Sequence, residues 1–352
     1  MPLRPEARTA MEEGFDQWAN PSSPHAEGRK ARKLLEDARE RVKAALDWEG
    51  EVIFTSGASE AAALAFDGSK SSEWAFISDV EHAAIDLAAY ENRKLPVLSN
   101  GAVDLFALRK AVGDRNLFPN ALDIGVLDVA VQHINSETGN RQNLADIKLA
   151  IPVIDDRLIV DCAQSAGKYP IPPEADMAII SAHKFGGPIG VGALLVRDFA
   201  LLEPAGGQER GYRRGTENLP GALGMAAALE ACGDPYIDPA ILAPLDQLAQ
   251  ECRDLGGTWL ADRLADPTPY IRAIAMPKMS GGAQVMRLDM AGIAVSQGSA
   301  CSSGTMKTSR VLDAMQVEPE IAANTIRVSV GWNTTRAEVE RFCEVWLELA
   351  KS

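Results

Sequence analysis

Residues 177–196, MAIISAHKFGGPIGVGALLV, set two short apolar runs on either side of a turn, rich in Gly and Pro, that carries His183 and Lys184. Runs of this length bounded by turn residues read as strands. Similar runs recur upstream: EVIFT (51–55), EWAFIS (73–78), IGVLDVAVQHI (124–134) and RLIVDC (157–162). Helix-prone stretches such as ASEAAALAF (58–66) lie between several of them. Segment 25–46, charged and Ala-rich, reads as an amphipathic helix introduced by the turn residues NPSSP (20–24). This alternation predicts an α/β domain built on a mostly parallel sheet. After about residue 232 the pattern changes: GDPYIDPAILAP (233–244) is rich in Pro and Asp. It is followed by a helical stretch (241–265), the strand-like runs YIRAIAM (270–276) and IRVSV (326–330), and a closing helix over 336–350. This part reads as a smaller α+β domain.

A chain of 352 residues with 46% hydrophobic and 24% charged residues has an ordinary globular balance. Its net charge of −14 argues against nucleic acid, whose phosphates need a basic footprint. No run approaches the roughly 18–20 apolar residues that span a bilayer. The start, MPLRPEARTAMEEGF, has no apolar signal core, so a cytoplasmic setting is expected. The five cysteines (162, 232, 252, 301 and 343) form no CxxC pair, which fits reduced thiols better than disulfides or a metal site.

Three segments carry chemistry. TSGASEAA (55–62) puts Ser56, Gly57, Ala58 and Ser59 between a strand and a helix start, where free amides attract a phosphate; the plainer alternative is a capped helix after a Gly turn. LIVDCAQSAGK (158–168) ends an apolar strand on Asp161, a carboxylate costly to bury unless paired, and Gln164 follows it. A protonated pyridine nitrogen is a suitable partner for Asp161, and a helix N-cap is the alternative role. Lys184, at the end of MAIISA and 23 residues after Asp161, is a poor structural choice but a good imine former once burial lowers its pKa. Cys301 lies in SQGSACSSGTMKTS (296–309), a Gly- and Ser-rich run that reads as an exposed loop, whereas Cys343 in RFCEVWLEL reads as core.

With these segments in the order phosphate turn, Asp, Lys, the sequence resembles the class V aminotransferases among the fold-type I pyridoxal-phosphate enzymes, and within them the cysteine desulfurases. The resemblance covers nearly the whole chain. NPSSPHAEGRKAR, TSGASEAAALA, VEHAAI, HINSETGNRQ, VDCAQSAGK, SAHKFGGPIGVGALLVRD, GGQERGYRRGTENLPGALG, SQGSACSSG and IRVSVGWNTTRAEVE stand in family order. It implies a large domain over 12–235 with a mostly parallel mixed sheet, and a small α+β domain from 1–11 and 236–352 carrying the cysteine loop.

The resemblance also implies roles. Lys184 holds pyridoxal 5'-phosphate as a Schiff base, and His82 stacks on the ring and takes part in proton transfer. Asp161 binds the pyridine nitrogen and Gln164 the phenolic oxygen. Ser181, His183 and the amides of Ala58 and Ser59 hold the phosphate, joined by Thr216 from a neighbouring subunit, which makes a homodimer the expected state. Arg327 clamps the carboxylate of L-cysteine, and the Cys301 thiolate takes the substrate sulfur as a persulfide for a sulfur acceptor or an iron–sulfur scaffold protein. Residue 136 is Ser where the family has an Asn at the cofactor, and the chain begins just after the family's Asn-Ala-Thr motif. Two further readings stay open: a selenocysteine lyase or another class V lyase or aminotransferase, and a catalytically impaired homologue that serves as scaffold or regulator.

Overall fold

The computed structural model describes residues 1–67, 74–89, 91–113, 126–151, 156–298 and 309–352. They divide into two compact units. The first comprises Met1–Leu95, Leu105–His133 and Leu144–Tyr236; the second comprises Pro96–Asp104, Ile134–Asn143 and Ile237–Ser352.

The first unit contains α1 (Pro5–Asp16), α2 (Ala26–Ala45), β1 (Glu51–Thr55), α3 (Ala58–Asp67), β2 (Trp74–Ser78), α4 (Ala83–Ala88), β3 (Glu91–Leu95), α5 (Leu105–Gly113), β4 (Asp128–Gln132), α6 (Leu144–Ala150), β5 (Arg157–Asp161), β6 (Met177–Ser181), β7 (Gly192–Val196) and α7 (Leu219–Glu230). Its seven strands form one sheet in the order β1-β7-β6-β5-β4-β2-β3. The pairs β6–β5, β5–β4, β4–β2 and β2–β3 are parallel, while β7 runs against both β6 and β1. A mostly parallel sheet is buried on both faces, so its strands are apolar runs rather than alternating ones. Every residue of β4, β6 and β7 is accordingly buried. The predicted α/β class holds. Strand β3, ENRKL, gave no apolar signal because an edge strand can be polar.

The second unit contains α8 (Pro239–Leu242), α9 (Pro244–Asp254), β8 (Thr258–Trp259), β9 (Ile271–Ala275), α10 (Gly281–Met290), α11 (Arg310–Ala314), α12 (Pro319–Asn324), β10 (Thr325–Ser329) and α13 (Arg336–Lys351). Its antiparallel sheet has the order β10-β9-β8. A capping box, in which Thr335 and Glu338 serve each other's backbone amides, starts α13.

Two expectations change here. The helical stretch expected over 241–265 stops at Asp254, after which Gly256 takes a positive φ of 80° and the chain enters β8. Residues 1–11, grouped by resemblance with the C-terminal part, lie in the first unit. There α1 packs on α7, with Ala7 and Ala10 buried. The Arg4 guanidinium donates to the carbonyls of Phe185 (3.0 Å) and Ala231 (2.9 Å).

Candidate active site

In open α/β sheets, ligands sit outside the carboxyl ends of the parallel strands. Four parallel strands of the first unit end side by side on Ser78, Gln132, Asp161 and Ser181. Register brings β1 to the same edge: Gly192, the first residue of β7, faces Thr55 on one side and Ser181 on the other. The turn after β1 and the turn after β6 are therefore neighbours across a single glycine. A Cβ on Gly192 would lie 2.6 Å from the Ile180 carbonyl oxygen and 2.7 Å from the Gly57 Cα, so only glycine lets the three backbones approach.

On one side of that glycine, β1 turns at Gly57 into α3, whose first turn presents the amides of Ala58 and Ser59. Helical bonding begins with the Ala61 amide on the Gly57 carbonyl (3.1 Å), which leaves the earlier amides outside the intrahelical ladder. On the other side, β6 runs into a 3-10 turn, Ala182–Lys184. Ser181 Oγ and His183 Nδ1 lie 3.0 Å apart. Burial first, then the charge of Lys184, pushes the His183 pKa below its ordinary value, so this ring is neutral at pH 7.

Asp161 sits one strand away. Its Oδ1 accepts from the Ala163 amide (2.8 Å), so the capping role weighed for it exists as a local turn. Desolvation nevertheless raises its pKa, opposed by the Ala163 bond and by the charges of His82 and Lys184. These three side chains share one electrostatic environment. His82 caps α4, with Nδ1 accepting from the Ala84 amide (3.1 Å). In the neutral ring that acceptor role places the proton on Nε2. The segment carrying His82 is tied to the β4 end by the Gln132 amide, which donates to the Glu81 carboxylate (2.7 Å). Gln164 is half-buried in the turn that follows Asp161.

Thr216 is exposed on the loop 205–218. Ion pairs fix the base of this loop. Glu209, buried at a positive φ of 49°, accepts from Arg39 Nη1 (2.8 Å) and from the Phe54 amide (2.9 Å), while Arg213 Nε meets Glu60 of α3 at 2.9 Å.

Ser136 and Arg327 belong to the second unit, where Arg327 Nη1 donates to the Ser136 carbonyl oxygen (2.9 Å). The neighbouring Asn135 holds the turn that follows it: its side-chain oxygen accepts from the amides of Glu137 (2.9 Å) and Thr138 (2.8 Å). Arg327 also lines a pocket with Glu137, Gln297, Gly298 and Ser309, whose hydroxyl donates to Glu137 (2.5 Å). Cys301 lies outside the described residues, in a stretch flanked by Gly298 and Ser309 of that pocket.

A sequence profile of the family described as aminotransferase class-V matches residues 4–342. The chain belongs to this family. A cysteine desulfurase of Cereibacter sphaeroides is 37% identical over 374 aligned positions, covering 97% of this chain and 92% of the relative. A NifS-like protein from Rickettsia africae ESF-5 superposes with a TM-score of 0.86 at 27% identity, covering 100% of this chain and 97% of that one. A structure described as SspA in complex with cysteine gives 0.72 at 25% identity over 94% and 96% of the two chains.

Among the described residues of this class-V chain, no helix is long and apolar enough to cross a membrane, and no His, Cys, Asp and Glu cluster has the makings of a metal site. Burial raises the thiol pKa of Cys162, next to Asp161, so it is a core thiol. Burial also raises Cys252 to about 11 and Cys343 to about 12. Sequence reasoning assigned nothing to Arg4, Arg39, Lys168 or Glu209, although each braces a turn named above. Arg4 and the Arg39–Glu209 pair find partners far away in sequence, while Lys168 spans two neighbouring turns through the carbonyls of Gln164 and Lys184.

Proposed function

We propose that this chain is a pyridoxal-phosphate-dependent cysteine desulfurase that converts L-cysteine to L-alanine. The observation that carries the reading is the convergence, at one sheet edge, of the Asp161 carboxylate with Lys184 and His82. Relatives named as cysteine desulfurases and a similar protein solved with cysteine support the same choice of substrate.

The residues fit the cofactor. A carboxylate whose burial is unfavourable by itself, as the raised pKa of Asp161 indicates, gains from a cationic partner such as a ring nitrogen. The Gly57 turn and the Ser181–His183 pair, brought together across Gly192, offer amide and hydroxyl donors to a phosphate. Bound there, pyridoxal phosphate supplies an electron sink for the bond-breaking at the substrate's α-carbon.

Each protein group then has a defined task. Asp161 keeps the ring nitrogen charged and Gln164 serves the phenolic oxygen. Lys184 anchors the cofactor and takes the α-proton as a free amine. His82, whose Nδ1 is held by the Ala84 amide, would hold and move a proton at Nε2 beside the bound cofactor. Ala58, Ser59, Ser181 and His183 bind the phosphate, with Thr216 acting on the partner subunit of a cytoplasmic homodimer. In the second unit Arg327 binds the substrate carboxylate, its Nη1 braced on the Ser136 carbonyl. The Cys301 thiol takes the substrate's sulfur, so that L-cysteine and a thiol become L-alanine and a persulfide, which passes to an acceptor or iron–sulfur scaffold protein.

The decisive experiment supplies purified protein with pyridoxal phosphate and L-cysteine and measures alanine and sulfide, beside Lys184→Ala and Cys301→Ala. Both variants are expected to abolish turnover, Lys184→Ala together with the visible cofactor band. Undiminished alanine formation by Cys301→Ala would overturn the persulfide step.

A further inference from the structure

Beneath the turn that carries Lys184 lies a group of side chains that the reaction does not use. Lys168 closes the segment VDCAQSAGK, and its Nζ donates to the carbonyl oxygens of Gln164 (2.9 Å) and Lys184 (3.1 Å). Its ammonium stands 5.4 Å from the centroid of Tyr236, a buried ring over which the Arg4 guanidinium also packs at 5.8 Å. Arg4 in turn holds the Phe185 carbonyl through Nε (3.0 Å) and the Gly186 carbonyl through its amide (2.8 Å). Three consecutive carbonyls, 184 to 186, are therefore taken by Lys168 and Arg4: the first two by their cationic groups, which share one aromatic ring, and the third by the Arg4 main-chain amide.

The turn before Lys168 is built for this approach. Gly167 has a positive φ of 72°, and a Cβ there would lie 2.8 Å from the Cys232 sulfur and 3.1 Å from the Phe185 Cβ. Only glycine brings the 164–168 turn close enough for Lys168 to span it and the Lys184 turn. Burial of the ammonium, with help from the charge of Lys184, lowers the Lys168 pKa to about 8 against an opposing effect of Cys232. At pH 7 it still carries its proton, so the enclosed charge persists.

We infer that Lys168 is a positioning residue for Lys184: its ammonium cross-links the carbonyls of Gln164 and Lys184, fixing the Lys184 turn against the turn that follows Asp161 and keeping a positive charge close to Lys184 at neutral pH. The inference rests on the reading of Lys184 as the cofactor lysine. Two consequences separate it from simple packing. A nearby cation disfavours a second positive charge, so it keeps the Lys184 nitrogen from holding a proton too tightly. It also ties the position of that nitrogen to the turn carrying Asp161 and Gln164.

The test compares wild type with Lys168→Met, which keeps the length and removes the charge, and Lys168→Arg, which keeps the charge. Each protein receives pyridoxal phosphate, and the pH midpoint of its visible absorbance band is measured by titration. Lys168→Met is expected to raise that midpoint by about one unit, a tenfold change in proton affinity, and Lys168→Arg to restore most of it. Tyr236→Leu, which loosens the ammonium without removing it, is expected to move the midpoint the same way by less. It carries the test should Lys168→Met not accumulate as folded protein. Midpoints that coincide in wild type and every folded variant would overturn the inference while leaving the cofactor reading intact. A wild-type protein that never develops the band would overturn both.

Discussion

The turn that carries Lys184 and the loop that carries Thr216 belong to the same unit, yet they are held in opposite ways. The Lys184 turn is fixed from beneath through its own main chain, with Lys168 and Arg4 donating to the carbonyls of residues 184 to 186. The loop 205–218 is fixed at its base through side chains. The buried pair Arg39–Glu209 and the pair Arg213–Glu60 anchor it, while Thr216 stays exposed. Bracing the backbone keeps the root of a reactive side chain stationary. Bracing only the base leaves the tip presented to solvent, as suits a residue proposed to serve a second subunit.

The largest test of this contrast is Arg39→Met, which strands the Glu209 carboxylate in the interior. Removing one partner of a buried pair costs about 3–5 kcal/mol. A lowered urea midpoint with an unchanged slope is the expected outcome, and an unaltered midpoint would show that the loop does not depend on that pair.

Gly167→Ala probes the Lys184 turn next. Its positive φ and its contacts with Cys232 and Phe185 predict a loss of about 2–3 kcal/mol. If the bracing is specific, the visible cofactor band weakens by more than the loss of fold alone explains, which equilibrium dialysis with pyridoxal phosphate measures.

Asp161→Asn is the smallest and has the opposite sign. Burial raises the Asp161 pKa in the fold, so the folded state binds the proton more tightly than the unfolded chain. Stability is therefore lost as pH rises from about 4 through the folded pKa, and the loss is complete once the carboxylate is charged. Without cofactor, the Asn variant is expected to melt about 1–3 °C above wild type at pH 7, the gap closing toward pH 4. With pyridoxal phosphate the order should reverse, because the variant has no charge to pair with the ring nitrogen. Calorimetry with and without cofactor decides both.

The elements legible in the sequence were those with strong local signals. The apolar strands β1, β4, β5, β6 and β7 and the amphipathic helix α2 appear where the pattern puts them. Ser56–Ser59, Asp161 and Lys184 each follow or end a strand in the sequence; register brings the first and last together across Gly192, and β5 places Asp161 beside β6. Strand β3 was silent because an edge strand tolerates ENRKL. Arg4 and Lys168 were silent for a different reason. Ordinary cations by composition, they gain meaning from the carbonyls they meet, and those partners lie as far as 227 residues away. His82 and Asp161 are instructive because each caps a local turn, a plain role that is compatible with the one proposed for it.

The grip of Arg4 also bears on how the chain is made. Its partners are the carbonyls of residues 185 and 231, so the first helix leaves the ribosome long before its docking surface exists. Closing a loop of that span is entropically expensive and comes after local contacts form. The expected order of folding therefore seats the N-terminal helix late, after the sheet and α7 have formed. Kinetically, substitutions at Arg4 should speed unfolding while leaving the refolding rate nearly unchanged.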